Sequence, residues 1–218
     1  MKCCGFLPFS GLLVASKNSD MKKYSVGIFL FDDVEVLDFA GPFEVFSVTS
    51  QLNNYEPFSV FTISETGEEI NAVNGLNILP DFSFEDHPDI DILIIPGGDG
   101  TRELINKQLV IDWVNEISHG SEITMSVCSG ARILAKAGLL DGHNSITHHE
   151  VIKDVKNITS ETNILEGKRF VDEGKIMTSG GITAGIDLSL HVVEKLFGKS
   201  MARETVIYME YGDWRKLL

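Results

Sequence analysis

Cysteine is scarce in this chain: three in 218 residues, two of them adjacent at Cys3 and Cys4. A fold stapled by disulfides needs paired, spaced cysteines, so that class is excluded. Cys128 stands alone in the body of the sequence, and a lone thiol suits a reducing, cytoplasmic setting. Positive charge is also short. Eighteen lysines and arginines face 32 acidic residues, giving a formal charge of −14. No basic stripe is visible, which argues against nucleic acid and anionic membranes as partners. Repeats, low-complexity tracts and internal linkers are missing too, and no apolar run is long enough to cross a bilayer.

What is present is an ordinary globular composition, 43% hydrophobic and 23% charged, sufficient for a sizeable core. Residues 1–20 read differently. Lys2 precedes a moderately apolar run, Phe6 to Ala15, broken by Pro8 and Gly11, while Met21-Lys22-Lys23 is itself a plausible start. We read 1–20 as a leader, extension or misassigned start, with a weak secretory signal as the alternative, and 21–218 as one domain.

Within that domain, apolar strand-like runs alternate with helical patterns. Strands are expected at Tyr24–Phe31, Phe58–Ser64, Ile90–Ile95 and Glu122–Val127, with shorter ones near Ser145, at Arg169–Val171 and at Ile176–Thr178. Helices are expected at Val36–Leu52, Thr101–Ser118, Ser129–Ala137, around Val151, at Ile182–Phe197 and from Met201 to about Tyr211. Gly41-Pro42 is placed near the start of the first helix, where a proline costs no hydrogen bond. Asn74-Gly75 centres a hairpin over Glu68–Leu79, because both residues tolerate positive φ. Alternation of this kind implies a mostly parallel α/β sheet with ligands at the carboxyl ends of its strands. Asp38, Gly97-Gly98, Cys128 and Gly180-Gly181 all follow expected strands and so gather at one edge.

Ile123 to Ala135 (ITMSVCSGARILA) runs from strand to helix with no loop residues to spare. Cys128 sits at the reversal, where a helix N-terminus favours thiolate over thiol, and Gly130 allows close backbone approach beside it. The local pattern leaves a bland alternative open, since free cysteine is also a common buried hydrophobe. Asp38 likewise reads either as a proton partner or as a helix N-terminal carboxylate.

Five stretches carry a resemblance: Leu37–Phe46 (LDFAGPFEVF), Asp91–Gly100 (DILIIPGGDG), Ser126–Gly142 (SVCSGARILAKAGLLDG), Thr147–His149 (THH) and Thr178–Glu194 (TSGGITAGIDLSLHVVE). In this order they resemble the ThiJ/PfpI family of the class I glutamine amidotransferase-like superfamily, in its isonitrile hydratase-like branch. The resemblance implies a flavodoxin-like three-layer sandwich, a homodimer, and a nucleophile elbow bearing the cysteine. It implies Cys128, Asp38 and Ser129 as the catalytic set, with Asp38 beside the sulfur. The amides of Gly97, Gly98 and Ser129 would form an anion hole, and His148 holds the place of a histidine common in that branch. His148 reads equally as a solvated helix cap, and Thr183 reads either as pocket lining or as loop-to-helix packing. No cofactor and no metal is implied.

Protease-like members carry histidine directly after the cysteine, whereas this chain has Ser129. Amide hydrolysis needs a base that also protonates the leaving amine, and an isonitrile has no leaving amine. Hydration of an isonitrile or similar small electrophile to an N-substituted formamide is therefore the expected reaction. Glyoxalase- or deglycase-like action on α-oxoaldehydes is the alternative, weakened by aspartate where glutamate is typical. A ligand- or redox-sensing domain without enzymatic activity is the third reading. His191 falls on a polar helix face, His87, His119 and His143 fall in turns, and none has ligand spacing with a carboxylate or thiol.

Overall fold

The computed structural model describes residues 21–218; the reading of 1–20 lies outside the described residues. Tyr24–Phe29 forms β1, whose Val26, Ile28 and Phe29 are fully buried, as a strand covered on both faces requires. The chain continues through α1 (Val36–Leu52), β2 (Phe58–Ser64), β3 (Ile70–Asn71), β4 (Asn77–Ile78), β5 (Phe82–Ser83), β6 (Ile92–Ile95), α2 (Thr101–Leu104) and α3 (Gln108–Gly120). After β7 (Ile123–Ser126) come α4 (Ala131–Lys136), β8 (Asn144–Ser145), α5 (Ile152–Ile158), β9 (Asn163–Ile164), β10 (Phe170–Glu173), β11 (Ile176–Ser179), α6 (Ala184–Phe197) and α7 (Lys199–Tyr208).

The main sheet has seven strands in the order β10-β11-β7-β6-β1-β2-β5. All its pairs are parallel except β10 with β11. Helices α1, α6 and α7 pack together over one face, and α2 to α5 cluster over the other. The expected flavodoxin-like sandwich is what the chain forms. Strand order reverses between β1 and β6, because β2 lies on one side of β1 and all later parallel strands but β5 on the other. Such a switch point opens a crevice at the carboxyl ends of the strands. Asp38 follows β1, Gly97 follows β6 and Cys128 follows the adjacent β7, so topology alone brings them together.

The core is dominated by Ile92 to Ile95, all fully buried, and by an aromatic group in which Phe84 stacks on Trp113 at 4.0 Å. Burying one such aliphatic side chain stabilises by roughly 1.5–3 kcal/mol. Among the described residues no helix is long and apolar enough to cross a membrane.

Several boundaries differ from expectation. The single helix over 101–118 is two, because the apolar stripe of Leu104 and Ile105 does not continue: Gln108 and Leu109 are exposed, and burial resumes at Val110 and Ile111. Lys107 takes an extended conformation between them. Pro42 lies inside α1 rather than in its first turn, so the carbonyl of Asp38 loses its usual i+4 donor. The hairpin forms with Asn74 at φ 66° and Gly75 at φ 85°, but its ladder is only two residues on each side. Strands β5 and β9, two residues each, were too short to leave a periodic signal.

Candidate active site

Cys128 ends the β7 segment and opens a short 3-10 turn, Cys128–Gly130, that leads into α4. Its φ of 54° is one that residues with a side chain adopt at a cost, so the sharp reversal stores strain at the thiol. Two backbone bonds brace it. Cys128 N–H donates to Gly180 O at 3.0 Å, and the Thr147 hydroxyl donates to Cys128 O at 2.7 Å. Gly130 is required two residues on, because a Cβ there would lie 2.1 Å from Ile95 O. The expected elbow is therefore held by three neighbouring strands and loops.

Asp38, in the first turn of α1, is fully buried beside this elbow. Gly97 N–H donates to its Oδ2 at 3.0 Å, while Oδ1 is buried without a well-formed hydrogen bond. The carboxyl and the Cys128 thiol lie within interacting distance of each other. Burial pushes the Asp38 pKa up to about 7, against the pull of the Gly97 amide. Burial also raises the Cys128 thiol to about 12, with the Asp38 charge acting the same way. The expectation of a thiolate favoured by the helix terminus is corrected here. Cys128 is 8% exposed, and α4 starts only at Ala131, so desolvation outweighs the dipole.

The N–H groups of Ile182 and Ser129 point at the sulfur and oppose that rise. Ile182 has φ 42°, a genuine outlier for a β-branched residue. Its amide is a site group that sequence reasoning missed; the only signal was a position just after Gly180-Gly181.

The remaining expected residues divide. Ser129 is buried next to the sulfur, and its Oγ accepts from Gly98 N–H at 2.8 Å. The amides of Gly97 and Gly98 are therefore already committed, to Asp38 and Ser129 respectively, and do not form the open anion hole expected of them. The amides that face the sulfur are those of Ser129 and Ile182. His148 packs against Gly181, and its Nδ1 accepts from Glu150 N–H at 3.3 Å, capping the turn at His149–Val151. It adjoins the elbow through Gly181. Thr183 is exposed and its Oγ1 accepts from Arg169 at 3.1 Å, so it belongs to the α6 surface rather than to the thiol pocket. A hollow of about 610 Å³ opens between Phe31, Asp33, Glu68 and Arg102 and is not lined by Cys128. Among the described residues no cluster of three or more His, Cys, Asp or Glu side chains is arranged to hold a metal ion.

Chemically, a thiol and a carboxyl that share burial also share a proton, because two adjacent charges in a desolvated site are unfavourable. One group can attack while the other delivers the proton.

Comparison with known proteins places the chain in a family. The profile of the DJ-1/PfpI family matches residues 24–195. Isonitrile hydratase of Pseudomonas putida is 30% identical over 190 residues, 86% of this chain and 78% of that protein. The HTH-type transcriptional regulator GbdR of Pseudomonas aeruginosa is 28% identical over 178 residues, 82% of this chain but only 48% of the regulator. Among solved structures, a ThiJ/PfpI family protein from Pseudomonas syringae superposes with a TM-score of 0.80 at 24% identity, covering 94% of this chain and 82% of that one. DJ-1beta of Drosophila melanogaster gives 0.75 at 21% identity, over 88% of this chain and 100% of that one. Both solved structures fix the fold. With the family profile spanning most of its length, the chain belongs to the DJ-1/PfpI family.

Proposed function

We propose that the protein is a cysteine-dependent hydro-lyase that adds water to an isonitrile, or a similarly small electrophile, to give an N-substituted formamide. The observation that carries this reading is the burial of Asp38 beside Cys128, where its carboxyl can serve the thiol as proton partner. The similarity to isonitrile hydratase over most of both chains supports it.

Asp38 takes the thiol proton as Cys128 Sγ attacks the terminal carbon of the isonitrile. A C–S bond forms, the proton passes to that same carbon, and the N≡C bond becomes the C=N bond of a thioimidate. Water then adds to the carbon while nitrogen takes a proton, with Asp38 relaying it. Cleavage of the C–S bond returns the thiol and releases the formamide. A carboxyl whose pKa lies near the working pH suits both proton transfers. The amides of Ser129 and Ile182 stabilise negative charge on sulfur at each end of the cycle. A cytoplasmic homodimer acting on a small molecule completes the proposal.

Cyclohexyl isocyanide is the test substrate, with N-cyclohexylformamide as the product followed. Wild type should turn it over, and Cys128→Ala and Asp38→Asn should not; turnover by wild type no faster than by Cys128→Ala overturns the proposal.

A sensing role is the second reading, favoured by the match to about half the length of a transcriptional regulator. It requires Cys128 to oxidise selectively. Mass spectrometry after mild peroxide distinguishes the two, since a buried, protonated thiol should stay reduced.

A further inference from the structure

Four residues, Gly180 to Thr183, join β11 to α6, and they carry the Ile182 amide that faces Cys128 Sγ. Ile182 sits at φ 42°, a conformation that a β-branched residue keeps only where its surroundings over-determine it. Whatever holds this stretch therefore bears on the thiol.

Both of its ends are tied to one residue. At the near end, Gly180 N–H donates to Arg169 O at 2.9 Å, extending the β10–β11 ladder past its last pair, Phe170 with Ser179. At the far end, Arg169 Nη2 donates to Thr183 Oγ1 at 3.1 Å. The guanidinium is itself fixed from α6. Arg169 Nε donates to Asp187 Oδ2 at 2.7 Å, its Nη2 donates to the same oxygen, and Tyr211 Oη donates to Asp187 Oδ1 at 3.0 Å. Gly180 O meanwhile accepts from Cys128 N–H at 3.0 Å, so the elbow shares the near anchor.

Arginine suits this task, because its planar fork can hold a carboxylate and a hydroxyl at once in a fixed orientation. The side chain is half-exposed, so the pair with Asp187 adds little to global stability. Its effect is local. Relaxation of Ile182 to a negative φ would rotate its peptide and displace Thr183, which the guanidinium opposes.

We propose that Arg169 is a positioning residue of the thiol site: holding Gly180 through its carbonyl and Thr183 through its guanidinium, it keeps the Ile182 amide aimed at Cys128 Sγ and so stabilises charge on the sulfur. This rests on Cys128 being the attacking group of the proposed function, and not on which electrophile it attacks.

Alkylation of the full chain by iodoacetamide at pH 9, with the Cys128 peptide followed by mass spectrometry, tests this without an isonitrile. Arg169→Met and Thr183→Val should each slow modification about fivefold. Losing a donor to a charged sulfur lowers the thiolate fraction by more than it raises nucleophilicity. The double variant should be no slower than either single one, and Thr183→Ser, which keeps the hydroxyl, should stay within about twofold of wild type. A linkage that only braced the surface would, when cut, open a path to a thiol that is 8% exposed, and alkylation would quicken. Faster or unchanged modification, or losses that multiply in the double variant, overturns the proposal.

If Cys128 resists the reagent altogether, amide hydrogen exchange decides. Ile182 N–H should exchange at least about tenfold faster in Arg169→Met and Thr183→Val, while core amides such as that of Ile94 keep their rates. Unchanged exchange at Ile182 overturns the proposal. Slower alkylation of both variants, in a protein that shows no isonitrile turnover, upholds the positioning role and overturns the substrate reading alone.

Discussion

Asp38 couples stability and reactivity through one proton. Its carboxyl is raised from 3.8 to about 7 on folding, chiefly by burial, so the folded protein holds that proton more tightly than the unfolded chain. The stabilisation is thus complete below about pH 3.8 and is lost as pH rises through about 7. Asp38→Asn, which cannot ionise, should be more stable than wild type at pH 8 by on the order of 1–3 kcal/mol. Thermal unfolding at pH 8 and pH 4 checks this, and the gap should close at the lower pH. Reactivity runs the other way. Below about pH 7 the carboxyl is already protonated and cannot take the thiol proton. For isonitrile turnover, kcat/KM should fall about tenfold per unit of pH below that point and level off above it. A flat profile between pH 5 and 8 would exclude Asp38 as the base.

At the scale of elements, the junctions carry the constraints. Gly130 lets the turn after β7 lie against the end of β6, with Ile95 O 2.1 Å from where a Cβ would sit. Gly130→Ala should therefore lower stability by more than about 2 kcal/mol, read as a drop in urea midpoint at unchanged slope. The hairpin tip is gentler. Asn74 at φ 66° packs nothing into the core, so Asn74→Ala should cost about 1 kcal/mol. These junctions also mark where the sequence was legible. Long apolar runs such as Tyr24–Phe29 and Ile92–Ile95 announced their strands, and Asn74-Gly75 announced its turn. The interruption at Lys107 did not show, because apolar residues on both sides satisfied a helical count while changing face. In the site, Cys128 and Asp38 were visible as side chains after strands. The Ile182 amide was not, since a backbone donor has no letter of its own, and the commitments of Gly97 and Gly98 to Asp38 and Ser129 depend on packing between loops.

Across the whole molecule, charge and topology act separately. A formal charge of −14 imposes self-repulsion on the compact state, which added salt screens. Calorimetry at pH 8 should show the melting temperature rising between about 20 and 300 mM sodium chloride, with the Debye length falling below about 10 Å over that range. A fall would mean that surface pairs such as Arg169–Asp187 outweigh the net repulsion. Topology contributes the crevice. The reversal of strand order between β1 and β6 assembles a thiol, an acid and a glycine turn from three separate stretches of sequence. The bracing of Cys128 by Gly180 O and by the Thr147 hydroxyl has a consequence for descent with modification. The Cys128 thiol is held by contacts to its own main chain, while the Asp38 carboxyl arrives independently on α1. Exchange of Asp38 therefore leaves the thiol in place, and a lineage built on this chassis is free to change the thiol's partner without rebuilding its mount.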